Sequence, residues 1–529
     1  MNSLKVLDVT LRDGGCVNNF NFGTEYMQKI LQAQEKAGID IIELGYLDDK
    51  RGSETGRTQF ISEKAVRQNF LRQKNADTKY VVMMDYGKYD VDNLEQRTTD
   101  GIDGIRLAFH KKDAKEAIES AKKILAKGYE VFVQPMITLR YSDDELIDLI
   151  RAVNNELSNA SGFYIVDSFG EMRPNDMNRV LNLVDHNLLQ NMSIGFHSHN
   201  NLQMSYSNAV SLLQFASNRD FLLDSSIMGM GKGAGNLNTE LLLEHLNLFY
   251  GKSYDIAPLL DVMDKVLKQI QTEFFWGYSP EYYLSAVNHC TPSYASYFYN
   301  KHMLPINRVS ELLGLLEEQK RISFDMNYAE EVYLKYNEGV AFEDDECICK
   351  LMEIFRDKKI LLIAPGRQTK LHKEHVAEMI KSGEYIVIGL NYDMNMDVDY
   401  IMTTRIESYF NYVNENKTII VPSNITKDSR KDINIIDYGK WSEKKDRVWD
   451  TSAVFILNIL KKAEPAEVHI AGMDGFSVSI NENYADPYLR IPLSENEAKI
   501  RNDFYIEFIK GLRNGGMKII FETPSKYDI

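Results

Sequence analysis

From the start of the chain to about residue 250, short apolar runs alternate with stretches whose apolar residues recur at helical spacing. The candidate strands are Lys5–Val9, Ile39–Leu44, Tyr80–Met84, Gly104–Ala108, Glu130–Gln134, Phe163–Val166, Ser193–His197 and Phe221–Ile227. Most are nearly unbroken in apolar residues, as parallel strands are when both of their faces are covered. The segments between them read as amphipathic helices. Tyr26, Ile30, Ala33 and Ala37 share one helical face, with Thr24 as the expected cap and Gly38 as the stop. Ser142-Asp143-Asp144-Glu145 has the form of a capping box ahead of Leu146, Leu149, Ile150 and Val153. Eight strand–helix units over about 250 residues predict a closed (β/α)8 barrel, an α/β fold, across residues 1–255.

The pattern then changes. Residues 256–345 read as a helical extension rich in aromatics, among them Phe274, Phe275, Trp276 and Tyr294. His289 and Tyr294 are the residues there expected to reach the barrel mouth. The charged stretch Glu343–Glu346 reads as the end of a linker. Across 346–529 the alternation returns, with expected strands at Lys359–Ile363, Tyr385–Leu390, Tyr400–Thr403, Thr418–Val421, Glu467–Ala471 and Lys518–Phe521. This predicts a second α/β domain with an open, Rossmann-like sheet. Its ligand crevice is expected beyond the strand ends, at Gly366, Asn391, Thr404, Arg405 and Gly472–Gly475. Ile363–Gly366, Val387–Asn391 and Asp399-Tyr400 resemble bacterial sugar- or nucleotide-phosphate domains. The plain alternative is a structural or dimerising domain without a ligand.

Composition narrows the partners. The 529 residues carry 61 Lys and Arg against 77 Asp and Glu, a net charge of -16. Nonspecific binders of nucleic acid or of anionic membranes need a basic face, so neither partner is expected. No stretch approaches the ~18 uncharged apolar residues of a membrane span. Lys5, Asp8, Arg12 and Asp13 interrupt any signal-peptide core, so export by that route is not expected. Four cysteines cannot build a disulfide scaffold, and Cys347-x-Cys349 without a second pair is poor zinc spacing. The cytoplasm is the expected compartment.

A barrel places its chemistry at the C-terminal ends of its strands. The first strand runs into Arg12-Asp13-Gly14-Gly15, which can hold a divalent metal and let a substrate approach the backbone; the plain alternative is a surface turn. The seventh ends His197-Ser198-His199-Asn200-Asn201. Residues two apart share a strand face, about 6.5 Å apart, so two imidazoles there can close on one metal. After the eighth strand come glycines at 229, 231, 233 and 235, then Asn236. Glycines in that place permit close approach of a ligand, and the spacing is not that of a dinucleotide fingerprint. One carboxylate, two imidazoles and an amide oxygen suit Mn, Mg, Zn, Co or Fe. Such an ion can polarise a 2-oxo acid, with Arg12 as a fixed donor for its carboxylate or developing oxyanion.

Five segments occur in order: Leu11–Gly14, Ile42–Gly45, Val166–Gly170, His197–Asn201 and Gly231–Asn236. Together they resemble the DRE-TIM metallolyase superfamily, the hydroxymethylglutaryl-CoA lyase-like proteins, and within it the 4-hydroxy-2-oxovalerate aldolase branch. The resemblance covers residues from about 4 to 250. It implies Asp13, His197 and His199 as metal ligands, with Asn236 on the metal or its water. It implies Arg12 as the group that binds and stabilises a pyruvate enolate, and Glu43 and Ser168 as pocket residues. Arg106 and Gln134, at the ends of the fourth and fifth strands, are further candidate substrate-binding residues; the plain alternative for Glu43, Ser168, Arg106 and Gln134 is barrel-core ion pairing and strand-end capping. One position departs from the branch: its acid/base histidine, three residues after the metal aspartate, is replaced by Cys16. A thiol of ordinary pKa is a poor substitute. The base is then His110, Glu43, Tyr141 or metal-bound water, with His110 preferred.

The expected function is a divalent-metal-dependent aldolase or lyase. It would cleave or form a carbon–carbon bond of a 2-oxo acid through a pyruvate-type enolate. The partners expected are the small 2-oxo acid and a second copy of the chain, as a homodimer. A Claisen-type synthase joining an acyl-CoA to a 2-oxo acid is one alternative. A catalytically degenerate barrel serving as a binding platform is the other.

Overall fold

A computed structural model describes all residues except 1–2, 51–53, 72–73, 302–303, 339–340, 416, 429, 431, 446 and 486–494. The chain divides into two compact units, Met1–Ala295 and Ser296–Ile529.

The first unit is the expected barrel. Its strands are β1 Leu4–Asp8, β2 Ile41–Leu47, β3 Gln59–Phe60, β4 Lys79–Asp85, β5 Gly104–Phe109, β6 Glu130–Pro135, β7 Gly162–Asp167, β8 Ser193–Ser198 and β9 Phe221–Ser225. All pairings are parallel, and β1 bonds to both β9 and β2, which closes the cylinder. The two-residue β3 is an addition outside the ring, paired to β2 through Tyr46 and Leu47. The last strand ends at Ser225, two residues before the expected end, and the chain turns at once into a short 3-10 segment.

Local signals behave as their chemistry dictates, with two corrections. Ser142 and Glu145 form the reciprocal capping box of helix Asp143–Glu156. Gly38 ends helix Thr24–Ala37 with φ 78°. Thr24, however, is the first helical residue; Gly23 holds the cap position, and no side chain caps that end. Glu343–Glu346 is likewise no simple linker end. Asp344 is buried and accepts hydrogen bonds from the Asp437 amide at 2.8 Å, Lys440 Nζ at 2.8 Å and Trp441 Nε1 at 2.6 Å. A buried carboxylate persists only when bonded in this way, so this acidic residue anchors the fold.

The barrel interior is layered. Its floor is an apolar cluster of Leu7, Val9, Ile41, Val81, Phe132, Tyr164, Val166 and Leu222. Side chains on one strand face recur every second residue. The positions one step beyond Ile41, Gly104, Phe132, Gly195 and Leu222 are Glu43, Arg106, Gln134, His197 and Asp224. The layer above the floor is therefore polar. Gly195 makes room for this change, since a Cβ there would meet the Tyr164 ring at 2.4 Å.

Helices Ala257–Val262, Lys268–Glu273 and Pro280–Val287 belong to the same unit as the barrel. Trp276 from this stretch donates its Nε1 to the Met228 carbonyl at 3.0 Å and so braces the glycine-rich loop.

The second unit holds a parallel sheet of β10 Lys359–Ile363, β11 Tyr385–Leu390, β12 Tyr400–Met402, β13 Ile419–Pro422, β14 Ile433–Ile436, β17 Glu467–Ala471 and β18 Ile519–Phe521. Its order is β14-β13-β12-β11-β10-β17-β18, the open arrangement expected. Strand β14 and the small antiparallel pair β15 Glu443–Lys444 and β16 Val448–Trp449 were not foreseen.

Candidate metal centre

The ends of β1, β8 and β9 bring the expected ligands together. Donor atoms of Asp13, His197 and His199 all lie within 4.8 Å of one another, and all three residues are buried. Among the described residues this is the one such cluster. The two imidazoles stand edge to face, ring centroids 5.4 Å apart.

Each histidine is oriented through its Nδ1. His197 Nδ1 lies 2.9 Å from Asp224 Oδ2, and His199 Nδ1 lies 3.0 Å from the Lys232 carbonyl. Bonds of this kind fix the tautomer with the proton on Nδ1 and leave the Nε2 lone pair for a metal. Burial lowers the His199 pKa to about 4, despite the opposing charge of Asp13. The imidazole is then neutral at pH 7, the form that binds metal. Burial also opposes ionisation of Asp13, but His199, Arg12 and His197, with a hydrogen bond from Asn236, outweigh it. Its carboxyl is held well below the usual carboxylate range.

Asn236 reaches the same place. Its Nδ2 donates to Asp13 Oδ2 at 2.8 Å and to the Met230 carbonyl at 3.1 Å. Its Oδ1 is buried without a hydrogen-bond partner. A buried amide oxygen left unpaired is costly, and a cation beside Asp13 would satisfy it. The donor set therefore fits a divalent ion.

The glycine-rich loop is shaped for this approach. A Cβ on Gly231 would meet Asn236 Nδ2 at 2.4 Å and Asp13 Oδ2 at 2.7 Å. Gly235, at φ 86°, has the Gly229 carbonyl oxygen 1.9 Å from the place of a Cβ. Asn201 ties the loop down: its Oδ1 accepts from the Ala234 amide at 2.9 Å while its Nδ2 donates to the Phe169 carbonyl at 2.9 Å.

Below the candidate ligands runs a buried ionic network. Arg12 donates from Nε to Glu43 at 2.6 Å and from Nη1 to Asp13 at 2.7 Å. Arg106 meets Glu43 at 2.9 Å, pairs with Asp224, and lies over the Tyr164 ring at 4.7 Å. With its amide oxygen turned toward Arg106, Gln134 accepts from Nη2 at 3.1 Å. Arg12 Nη2 is buried with no partner, a held donor left over from the network.

The remaining expected residues are placed as follows. Ser168 Oγ accepts from the Ile137 amide at 3.1 Å and so holds the loop after β6. Cys16 keeps an accessible surface, but the surrounding barrel end and the Asp13 carboxylate push its thiol up to about 12. His110 lies outside the ligand cluster; desolvation lowers its pKa against the attraction of Asp85. Tyr141 is buried in the main core with its hydroxyl unpaired. His289 bonds Glu171 through Nδ1 at 2.5 Å, and Tyr294 is fully buried; neither enters the cluster. The residue not anticipated is Asp224. Its signal was a lone carboxylate directly after the apolar run Phe221–Leu223 and inside the same strand, where a buried charge must have a partner.

Residues 3–264 match the HMGL-like family model. This half of the chain is an HMGL-like domain. The resemblance read from the ordered motifs is thus borne out, and the domain is of the carbon–carbon lyase class. A 4-hydroxy-2-oxovalerate aldolase of Bacillus thuringiensis (strain Al Hakam) is 26% identical over 267 residues, 50% of this chain and 76% of its own. Its namesake from Pseudoalteromonas translucida (strain TAC 125) is 28% identical over 289 residues, 52% of this chain and 81% of its own. Among solved structures, the HMG-CoA lyase of Bacillus subtilis aligns over 51% of this chain and 93% of its own, at 16% identity and a TM-score of 0.42. The HMGL-like domain leaves the second sheet outside its match.

Proposed function

We propose that the chain is a divalent-metal-dependent aldolase acting on a hydroxylated 2-oxo acid, cleaving or forming its carbon–carbon bond through a pyruvate-type enolate. The observation that carries this reading is the Asp13, His197 and His199 cluster with both Nδ1 atoms already engaged. A divalent ion held there supplies Lewis acidity toward the 2-oxo group.

The chain's own residues do the rest. Arg12, locked by Glu43 and Asp13, offers its free Nη2 to the substrate carboxylate or oxo oxygen. A donor fixed in advance costs no reorganisation as charge develops. Glu43 is gripped by two guanidinium groups and serves as a brace for both. Arg106 and Gln134 hold that brace from below, and Ser168 shapes the wall. The proton of the substrate hydroxyl is assigned to His110, whose lowered pKa keeps a neutral imidazole available. Cys16 lines the mouth as a protonated thiol. The names borne by the relatives agree with this substrate class.

The homodimer belongs to the same reading. Leu248 and Phe249 project from helix Thr239–Tyr250 at 69% and 70% exposure, an apolar contact face. No described helix is long and apolar enough to cross a membrane, and a cytoplasmic setting is part of the proposal.

The test is exchange of the pyruvate methyl protons into deuterium oxide, followed by proton NMR with Mn, Mg, Zn or Co. Metal-dependent exchange in wild type, abolished in Arg12→Ala, is expected. Exchange that is equal in the two proteins, or absent with every metal, contradicts the reading.

A further inference from the structure

The second unit carries a cavity of about 490 Å³ walled entirely by residues between Tyr297 and Tyr527. It lies beyond the ends of β10 and β17, neighbours from which the chain winds outward in opposite directions. In open α/β sheets that switch point is where ligands seat. Gly366, Asn391, Arg405 and Asp474, all at strand ends, line it. Gly366 is packed against Asp474, since a Cβ there would meet the carboxylate at 2.7 Å.

The charges in the cavity are mostly spent on each other. Lys301 pairs with Glu330 at 3.1 Å. Glu497 takes both guanidinium nitrogens of Arg447 at 3.0 Å and Arg501 Nε at 2.8 Å. Three polar atoms are left over. Arg405 Nε is buried with no hydrogen-bond partner, its nearest carboxylate being Glu407 at 3.9 Å. Trp449 Nε1 is also buried without a partner, on a residue only 5% exposed. Phe504 stacks on the Trp449 ring at 3.8 Å and Arg447 lies over it at 4.1 Å, so the indole edge is what remains for a ligand. Asp474 Oδ1 is the third, while its Oδ2 accepts from the Gln368 amide at 2.8 Å.

Two donors and one acceptor, each costly to leave unpaired, specify a complementary ligand. The balance of charge narrows it. Lys301, Arg405, Arg447 and Arg501 face Glu330, Asp450, Asp474 and Glu497, so the lining is neutral overall. From the loop after β17, the Asp474 carboxylate also takes the Gln368 amide in the turn after β10, where a phosphate would otherwise meet backbone amides. A phosphate dianion would find the one unspent guanidinium and a carboxylate beside it.

We propose that this cavity binds a hydroxylated monocarboxylate, a molecule of the sugar-acid class. Its carboxylate meets Arg405, one oxygen accepts from Trp449 Nε1, and a hydroxyl donates to Asp474 Oδ1. The proposal stands on the second unit alone and holds whether or not the barrel binds metal.

Calorimetric titration of the metal-free full-length protein tests it, with D-gluconate, 2-keto-3-deoxygluconate, glucose 6-phosphate and UMP as probes. Removing the metal takes away the barrel's Lewis acid, and a comparison of wild type with Trp449→Phe reports on the second unit alone. Saturable binding of one or both acids is expected, one per chain. Arg405→Gln should weaken it about tenfold or more, the scale of a charge-assisted hydrogen bond. Trp449→Phe, which keeps the stacked ring and removes only the donor, should weaken it by a smaller factor. If Arg405→Gln lowers the melting temperature, Trp449→Phe decides alone. Binding of neither acid, tighter binding of either phosphate compound, or affinities unchanged in Trp449→Phe would overturn the proposal.

Discussion

The barrel end and the C-terminal cavity answer the same problem in opposite ways. Both lie where parallel strands run out, and both gather buried charge. In the barrel, the carboxylates of Asp13, Glu43 and Asp224 are knitted to Arg12, Arg106 and His197 in one continuous network. In the second unit the ion pairs are local, such as Lys301 with Glu330. A continuous network makes each member depend on the others. Local pairs leave their neighbours free, which is how Arg405 and Trp449 come to be left over. The first arrangement fixes every side chain at the barrel end against its neighbours; the second leaves two donors and an acceptor unspent.

The sharpest way to break this contrast is to cut the barrel network at its centre. Arg106→Ala takes from buried Asp224 its one guanidinium partner, leaving it His197 Nδ1, and leaves Glu43 to Arg12 alone; it should cost about 3–5 kcal/mol in the barrel's denaturant transition. A loss under about 1 kcal/mol would mean that the network is not continuous in the sense used here.

Acidity separates the two regions next. Burial raises the Asp474 pKa from 3.8 to about 6. Between those values the folded protein binds more protons than the unfolded chain. The contribution of Asp474 to stability is therefore full below pH 3.8 and lost as pH rises through 6. Relative to wild type, Asp474→Asn should gain about 2–3 kcal/mol on going from pH 4 to pH 7. Melting curves of the two proteins at both pH values check this; a constant difference would contradict it.

A smaller effect probes the orientation of His197. Asp224→Asn should lower metal affinity about 10–100-fold with the barrel still folded, the usual cost of losing a partner behind a ligand. Competition with a chromogenic chelator measures it, and unchanged affinity would leave Asp224 as a structural residue only.

The sequence exposes these two regions unequally, and the reason is distance along the chain. Barrel strands covered on both faces read as plain apolar runs, and Asp13 or His197-x-His199 stand at their ends as contiguous signals. What barrel closure creates is not contiguous. Arg106 and Asp224 meet across 118 positions, and no local pattern pairs them. The same applies to the cavity, where Arg405, Trp449 and Asp474 come from three segments far apart in the chain. Its strand-end position was legible from the alternation, but Trp449, on the unforeseen two-residue β16, was not. Short elements such as β3 and β16 carry too few residues to show a period. Asp344 misled for a different reason: a run of acidic residues looks solvated, and only tertiary contacts show which of them is buried.

The most direct test of the central claim is the metal content of the purified protein, measured by inductively coupled plasma mass spectrometry. The account predicts about one divalent ion per chain in wild type, lost in Asp13→Ala and in His197→Ala. Equal metal content in all three proteins would contradict it.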